Sequence, residues 1–138
     1  MKKTLLLATI FLMLVSTTSC KKLLGLDSES LLSKKPWKGD KMEVITNGTL
    51  HSTRNINDWV FEVNKKTHRY KLYINNSVFE EGNWTYDDKM EKLVLEPDND
   101  PPLTFFVSEL NKKTLNMEIK TNAEDGSSLI IKHYFYRD

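Results

Sequence analysis

Three histidines, the acidic clusters at 87–88 and 98–100, the lysine pairs at 65–66 and 112–113, and one cysteine are the residues here whose types could do chemistry. His51, His68 and His133 never stand at i, i+4 on a helix or i, i+2 on a strand. Those are the spacings that bring two imidazoles to one metal. His51 and His68 fall in expected loops and His133 in the last expected strand, so surface or packed histidines are expected and no metal site. Asp98-Asn99-Asp100 is oxygen-rich, as a calcium loop would be. Proline flanks it on both sides, however, and no downstream bidentate glutamate comes after it, so it reads as a solvated turn. Asp87-Asp88 lies in a hairpin turn and does not read as an acid–base pair. There is no nucleophile elbow and no glycine-rich phosphate loop. No catalytic residue, no cofactor and no enzymatic activity are therefore expected. Lys65-Lys66 and Lys112-Lys113 read as solvated turn residues. Gathered at one mouth of a fold, they would favour an anionic ligand or lipid headgroups.

Cys20 is the residue with the most specific context. Met1-Lys2-Lys3 is a basic start, and Leu5 to Val15 is an apolar run shorter than the roughly 20 residues needed to span a bilayer. Ser16-Thr17-Thr18-Ser19 then places small residues before the cysteine. This is the layout of a secretory signal peptide, expected over residues 1–19. The boundary resembles the lipobox of bacterial lipoproteins, with Thr17 where an aliphatic residue is usual. That resemblance implies a lipid-modified Cys20 at the mature N-terminus. Each buried methylene of an acyl chain contributes about 0.8 kcal/mol, so several chains tether a protein without a spanning helix. The expected address is a bacterial envelope, at the outer membrane. No acidic cluster stands after Cys20-Lys21-Lys22, which favours the periplasmic face. A lone cysteine makes no internal disulfide, so the exported fold must rest on its core.

Residues 20–35 read as a tether. Ser28 or Ser30 is placed to cap a short helical turn with Leu31 and Leu32, a lid against one end of the folded domain. Losing Lys2 and Lys3 with the leader leaves 18 basic and 19 acidic side chains, a net charge of −1. Such a domain has no electrostatic reason to bind nucleic acid.

Residues 36–138 must supply the fold. Trp84 and Tyr86 share one parity and Leu93 and Leu95 another, on either side of the polar Asp87-Asp88-Lys89-Met90. That is a β-hairpin. Similar alternation runs through Trp37 to Thr46, Asp58 to Val63, Arg69 to Ile74 and Leu115 to Lys120. Gly39 marks an expected bulge, because Trp37 and Met42 have opposite parity. Asn47-Gly48 is a turn, with a polar loop expected from there to Asn57. Leu103 to Leu110 and Ser128 to Arg137 carry apolar residues at both parities, so their inward faces stay open. Pro97 to Pro102 is a clear break. Eight short antiparallel strands are best closed into an up-and-down barrel, which removes exposed edges.

The succession Trp37, Trp59-Val60-Phe61-Glu62-Val63, Gly82-Asn83-Trp84-Thr85-Tyr86, Lys92-Leu93-Val94-Leu95 and Lys113-Thr114-Leu115 resembles the small bacterial lipocalin-like lipoproteins. The fold class expected is thus all-β, an eight-stranded antiparallel lipocalin-like barrel after a signal peptide and short tether. The resemblance implies a tryptophan plugging one barrel end, with Trp37 in that place and Lys35 where the family has glycine. It also implies binding of a small apolar molecule. The aromatic set is Trp37, Trp59, Phe61, Tyr70, Trp84, Tyr86, Phe105 or Phe106, and Phe135. It reads as core or as the lining of a ligand cup, with Trp37, Trp59, Phe61, Tyr70, Trp84 and Tyr86 as candidate ligand contacts. The alternative is a filled barrel that serves as an envelope interaction module for a protein partner.

Overall fold

The computed structural model describes residues 27–138. The expected signal peptide, Cys20 and the tether before Asp27 lie outside the described residues.

A six-residue helix opens the described chain, α1, Ser28–Ser33. Its N-cap is Asp27, not Ser28 or Ser30, because the Asp27 carboxylate accepts the Ser30 N–H at 2.7 Å and also the Ser30 hydroxyl at 3.0 Å. A carboxylate satisfies an orphan N–H of the first turn and also sits well at the positive end of the helix. That backbone hydrogen bond chiefly holds the Asp27 carboxyl below the usual carboxylate range. The helix is a lid: Leu32 is fully buried, and α1 packs on strands β3 (Trp59–Asn64) and β7 (Leu103–Leu110).

Nine strands make up the rest: β1 Trp37–Thr46, β2 Thr49–Asn55, β3 Trp59–Asn64, β4 Arg69–Ile74, β5 Ser77–Asp87, β6 Lys92–Pro97, β7 Leu103–Leu110, β8 Thr114–Asn122 and β9 Ser128–Tyr136. Eight of them, β1 and β3 to β9, close an antiparallel barrel, with β9 returning to pair along β1 from Lys38 to Thr46. Two hairpins turn on Asn47-Gly48 and Asn75-Asn76, each with positive φ at both residues. This is the backbone that a tight two-residue β-turn demands and that asparagine and glycine tolerate.

The ninth strand is a correction. Thr49–Asn55, expected as loop, is β2, paired along β1 between Lys41 and Thr46. Every residue of β2 is exposed. A strand with no buried face has no apolar alternation to reveal it. It takes up the β1 edge that β3 abandons, since β1 and β3 pair only at Trp37↔Phe61 and Lys38↔Val60. The bulge at Gly39 is present, with Asp40 as the extra residue against β9. A Cβ on Gly39 would overlap the carbonyl of Ile56, a residue tucked fully inside. Gly82 is equally constrained, by the backbone of Glu96 and Pro97 on β6.

Register resolves the two open parities. Leu103, Phe105 and Val107 of β7 face inward, continuous with Leu93 and Leu95. In β9, Leu129, Ile131, His133 and Phe135 share the inward parity of Leu115, Met117 and Ile119. The outer apolar residues are covered by amphipathic stems. The Lys92 and Lys120 ammoniums lie over Phe106 at 5.3 and 5.2 Å, and Lys41 over Tyr134 at 4.7 Å.

Candidate functional site

The barrel has two unlike ends. At the helix end, Trp37 and Trp84 are fully buried. Trp37 donates its indole N–H to the Leu32 carbonyl at 2.9 Å, and Trp84 to the Asn64 carbonyl at 3.1 Å. Arg137 stacks its guanidinium 3.9 Å from the Trp37 ring centre. Its Nε donates to the Lys112 carbonyl at 2.8 Å and its Nη1 to the Lys35 carbonyl at 3.2 Å. Burial pulls its pKa down, but an arginine stays charged in proteins. This end is plugged.

Midway, Phe61 and Tyr70 are almost wholly buried, with ring centroids 6.1 Å apart. Tyr70 donates its hydroxyl to Glu80 at 2.7 Å. Burial first, then this hydrogen bond to the carboxylate, pushes the tyrosine pKa well up.

The far end is different. Met42, Trp59, Leu72, Leu103 and Ile119 face the interior there but are only part-buried. Trp59 opens β3 beside the point where β1 leaves β3 for β2. His133 sits among aromatic rings, 6.1 Å from Trp59, 5.7 Å from Phe105 edge-on and 6.5 Å from Phe135 stacked. Its desolvation pulls the pKa down to about 4, so the imidazole is neutral at pH 7. Among the described residues, Trp59 Nε1 and His133 Nδ1 are buried without a hydrogen-bond partner, as is Arg137 Nη2 at the helix end.

The six candidate ligand contacts therefore fall into three places. Trp37, Trp84 and Tyr86 are at the helix end, Phe61 and Tyr70 form the floor, and Trp59 lines the open cup. His133 and Glu80 are interior polar groups that are not among the candidate ligand contacts. For His133 a signal exists: it shares parity with Leu129, Ile131 and Phe135. Glu80 carries the same kind of signal, sharing parity with Gly82, Trp84 and Tyr86, and the β5 bulge at Phe79 lies before it. Elsewhere, His51 is exposed on β2, and His68 lies at the β3–β4 turn with its ring 5.6 Å from Trp84. Asp98 takes a two-pronged bond from Arg69 at 2.7 and 2.6 Å, which holds its carboxyl low. Asp87 caps its own turn, accepting the N–H groups of Lys89 and Met90. Lys65-Lys66 and Lys112-Lys113 both lie at the helix end. There Lys34, Lys35, Lys65 and Lys66 line a shallow groove of about 600 Å³.

A closed eight-stranded antiparallel barrel is a shape other proteins share. The profile described as the lipocalin-like domain matches residues 33–117. The chain belongs to this lipocalin-like family. Among solved structures it is similar to a lipocalin-like protein from Bacteroides uniformis, with TM-score 0.53 and 12% identity. That match covers 78% of this chain and 99% of the other. A deswapped triple mutant of bovine odorant-binding protein aligns over 79% of this chain and 75% of its own, with TM-score 0.44 and 13% identity. The comparison with curated proteins found no match.

Proposed function

We propose that this lipocalin-like barrel is an anchored envelope lipoprotein that holds a small apolar ligand in its open end. The observation that carries the binding role is the grading of burial along the interior. The helix end sets fully buried Trp37, Trp84 and Leu115 beside part-buried Tyr86 and Leu110, whereas Met42, Trp59, Leu72, Leu103 and Ile119 at the other end are all part-exposed. Apolar surface kept in contact with water inside a cup gains about 25 cal/mol per Å² when a ligand covers it. The bulky floor of Phe61, Tyr70, Phe105 and Phe135 limits the ligand to small size. Eight strands enclose room for side chains and at most one small molecule.

The anchor rests on the sequence before Asp27. The Lys34–Lys35 and Lys65–Lys66 groove lies on the end the tether enters, which suits an end turned toward anionic headgroups. A fluorescent-probe titration over a size series tests the binding role. Short acyl or aromatic probes should bind modestly and sterol-sized ones not at all. Full burial of a sterol-sized probe overturns the small-cup reading. No binding at any size favours a filled barrel acting through a protein partner. Cys20→Ala tests the anchor: it should release the protein from the membrane fraction or block its processing. Undiminished membrane fractionation at full mature length would remove the lipoprotein reading.

A further inference from the structure

We infer that the open cup selects ligands bearing one neutral hydroxyl on an apolar body, held between Trp59 Nε1 and His133 Nδ1. This rests on the ligand-binding reading above and names the chemistry of that ligand. The two rings are neighbours, with centroids 6.1 Å apart and planes inclined by 34°. Their two nitrogens are buried and unpartnered, whereas the indoles of Trp37 and Trp84 are satisfied by carbonyls. Buried polar atoms are nearly always hydrogen-bonded. The third orphan, Arg137 Nη2, stands alone on the Trp37 ring at the plug, whereas these two belong to neighbouring rings at the open end and so mark where a partner goes.

The chemistry of the pair narrows the partner. An indole N–H only donates, and a neutral imidazole nitrogen either donates or accepts according to tautomer. A hydroxyl oxygen accepts from Trp59, and the same group either donates to His133 or accepts a second bond from it. It therefore fits both tautomers. A carbonyl fits only one. A carboxylate finds no cation. Among the described residues, the charged side chains on the inward register are Arg137 and Glu80. Arg137 is committed at the opposite end to Trp37 and two carbonyls. Glu80 is an acid, already accepting from Tyr70. His133 is held neutral by burial. An anion would thus be desolvated beside a carboxylate with nothing to repay the cost. The edge-on Phe105 and stacked Phe135 beside His133 supply the apolar wall for the ligand body.

Calorimetric titration of the full-length protein at pH 7 tests this with three probes on one skeleton: p-xylene, p-cresol and p-toluate. Two net hydrogen bonds should make p-cresol bind about tenfold tighter than p-xylene, with p-toluate weaker than both. In Trp59→Phe and His133→Phe, the ratio of p-cresol to p-xylene affinity should fall toward one. The wild-type ranking is informative even where a variant folds poorly. Equal binding of p-cresol and p-xylene, or tightest binding of p-toluate, overturns the hydroxyl preference and leaves the apolar cup standing. If none of the three binds, the ligand-binding reading falls and this inference with it.

Discussion

At the helix end, two fully buried tryptophans have their N–H groups on carbonyls, and a guanidinium covers one of them. At the open end, a part-buried tryptophan and a histidine have unpartnered nitrogens. Both ends are built from the same alternation of apolar residues on the same strands. What differs is completion: α1, Arg137 and the β3–β4 turn close one end, and among the described residues no helix covers the other. Stability should concentrate where the rings are fully buried and the indole N–H groups are satisfied. Binding capacity should concentrate where they are not.

Tryptophan truncation at each end is the strongest way to break this contrast. Trp84→Ala removes a fully buried ring and strands the Asn64 carbonyl, so a loss of about 3–5 kcal/mol is expected. That is a large part of the ~5–15 kcal/mol typical of a domain. Trp59→Ala removes a part-exposed ring whose N–H has no partner, and should cost less than half as much. Urea midpoints of the two variants measure both. Equal losses would show that the open end is as firmly packed as the plug.

Acid should probe the open end alone. An unfolded imidazole titrates near 6.5, and folded His133 near 4. Above pH 6.5 both states are neutral and stability is flat. Between 6.5 and 4 the unfolded chain binds a proton that the barrel refuses, so stability falls as pH falls. The loss, on the order of 3 kcal/mol, is complete below about 4. The depressed carboxyls of Asp27 and Asp98 lose their contribution only below 3.8, outside this window. Urea denaturation at several pH values should show the slope in wild type and a flatter one in His133→Phe. An unchanged slope in that variant would place the titrating group elsewhere.

Legibility in the sequence depends on which faces are buried. Trp59/Phe61/Val63 and Leu115/Met117/Ile119 declare themselves because one face is core and the other polar. β2 is invisible because neither of its faces is buried, so nothing alternates. β7 and β9 are ambiguous because Phe106 and Tyr134 look like core but lie outside under lysine ammoniums. The helix cap is Asp27, one residue before Ser28 and three before Ser30; all three are good capping residues, and only geometry assigns donor and acceptor. The plug is half legible. Resemblance places Trp37, but Arg137 joins it from a hundred residues away and carries no local signal. Arg137→Met tests that partnership: leaving the Lys112 and Lys35 carbonyls without their donor should cost about 1–3 kcal/mol, read by thermal unfolding. A neutral result would mean the ring alone makes the plug.

The smallest expected effect lies on the rim of the open end, and it decides where the cup begins. Phe79 is the extra residue of the β5 bulge, between Val78, which pairs with Tyr73, and Glu80, which pairs with Leu72. It is 66% exposed, and Leu50 on β2 is 53% exposed. A bulge residue belongs to neither face of the ladder, so Phe79 adds little to the interior. Surface substitutions away from special features usually change stability by less than about 0.5 kcal/mol. Phe79→Ser and Leu50→Ser should therefore leave the urea midpoint in place. If the ligand sits inside, between Trp59 and His133, its affinity should also stay within about twofold of wild type, since no rim contact is lost. The same titration on Leu103→Asp, which puts a charge in the cup, should abolish binding. Should the rim variants weaken binding as much as Leu103→Asp, the contact surface would be the exposed rim. The contrast between sealed and open ends would then describe a docking face, not a cup.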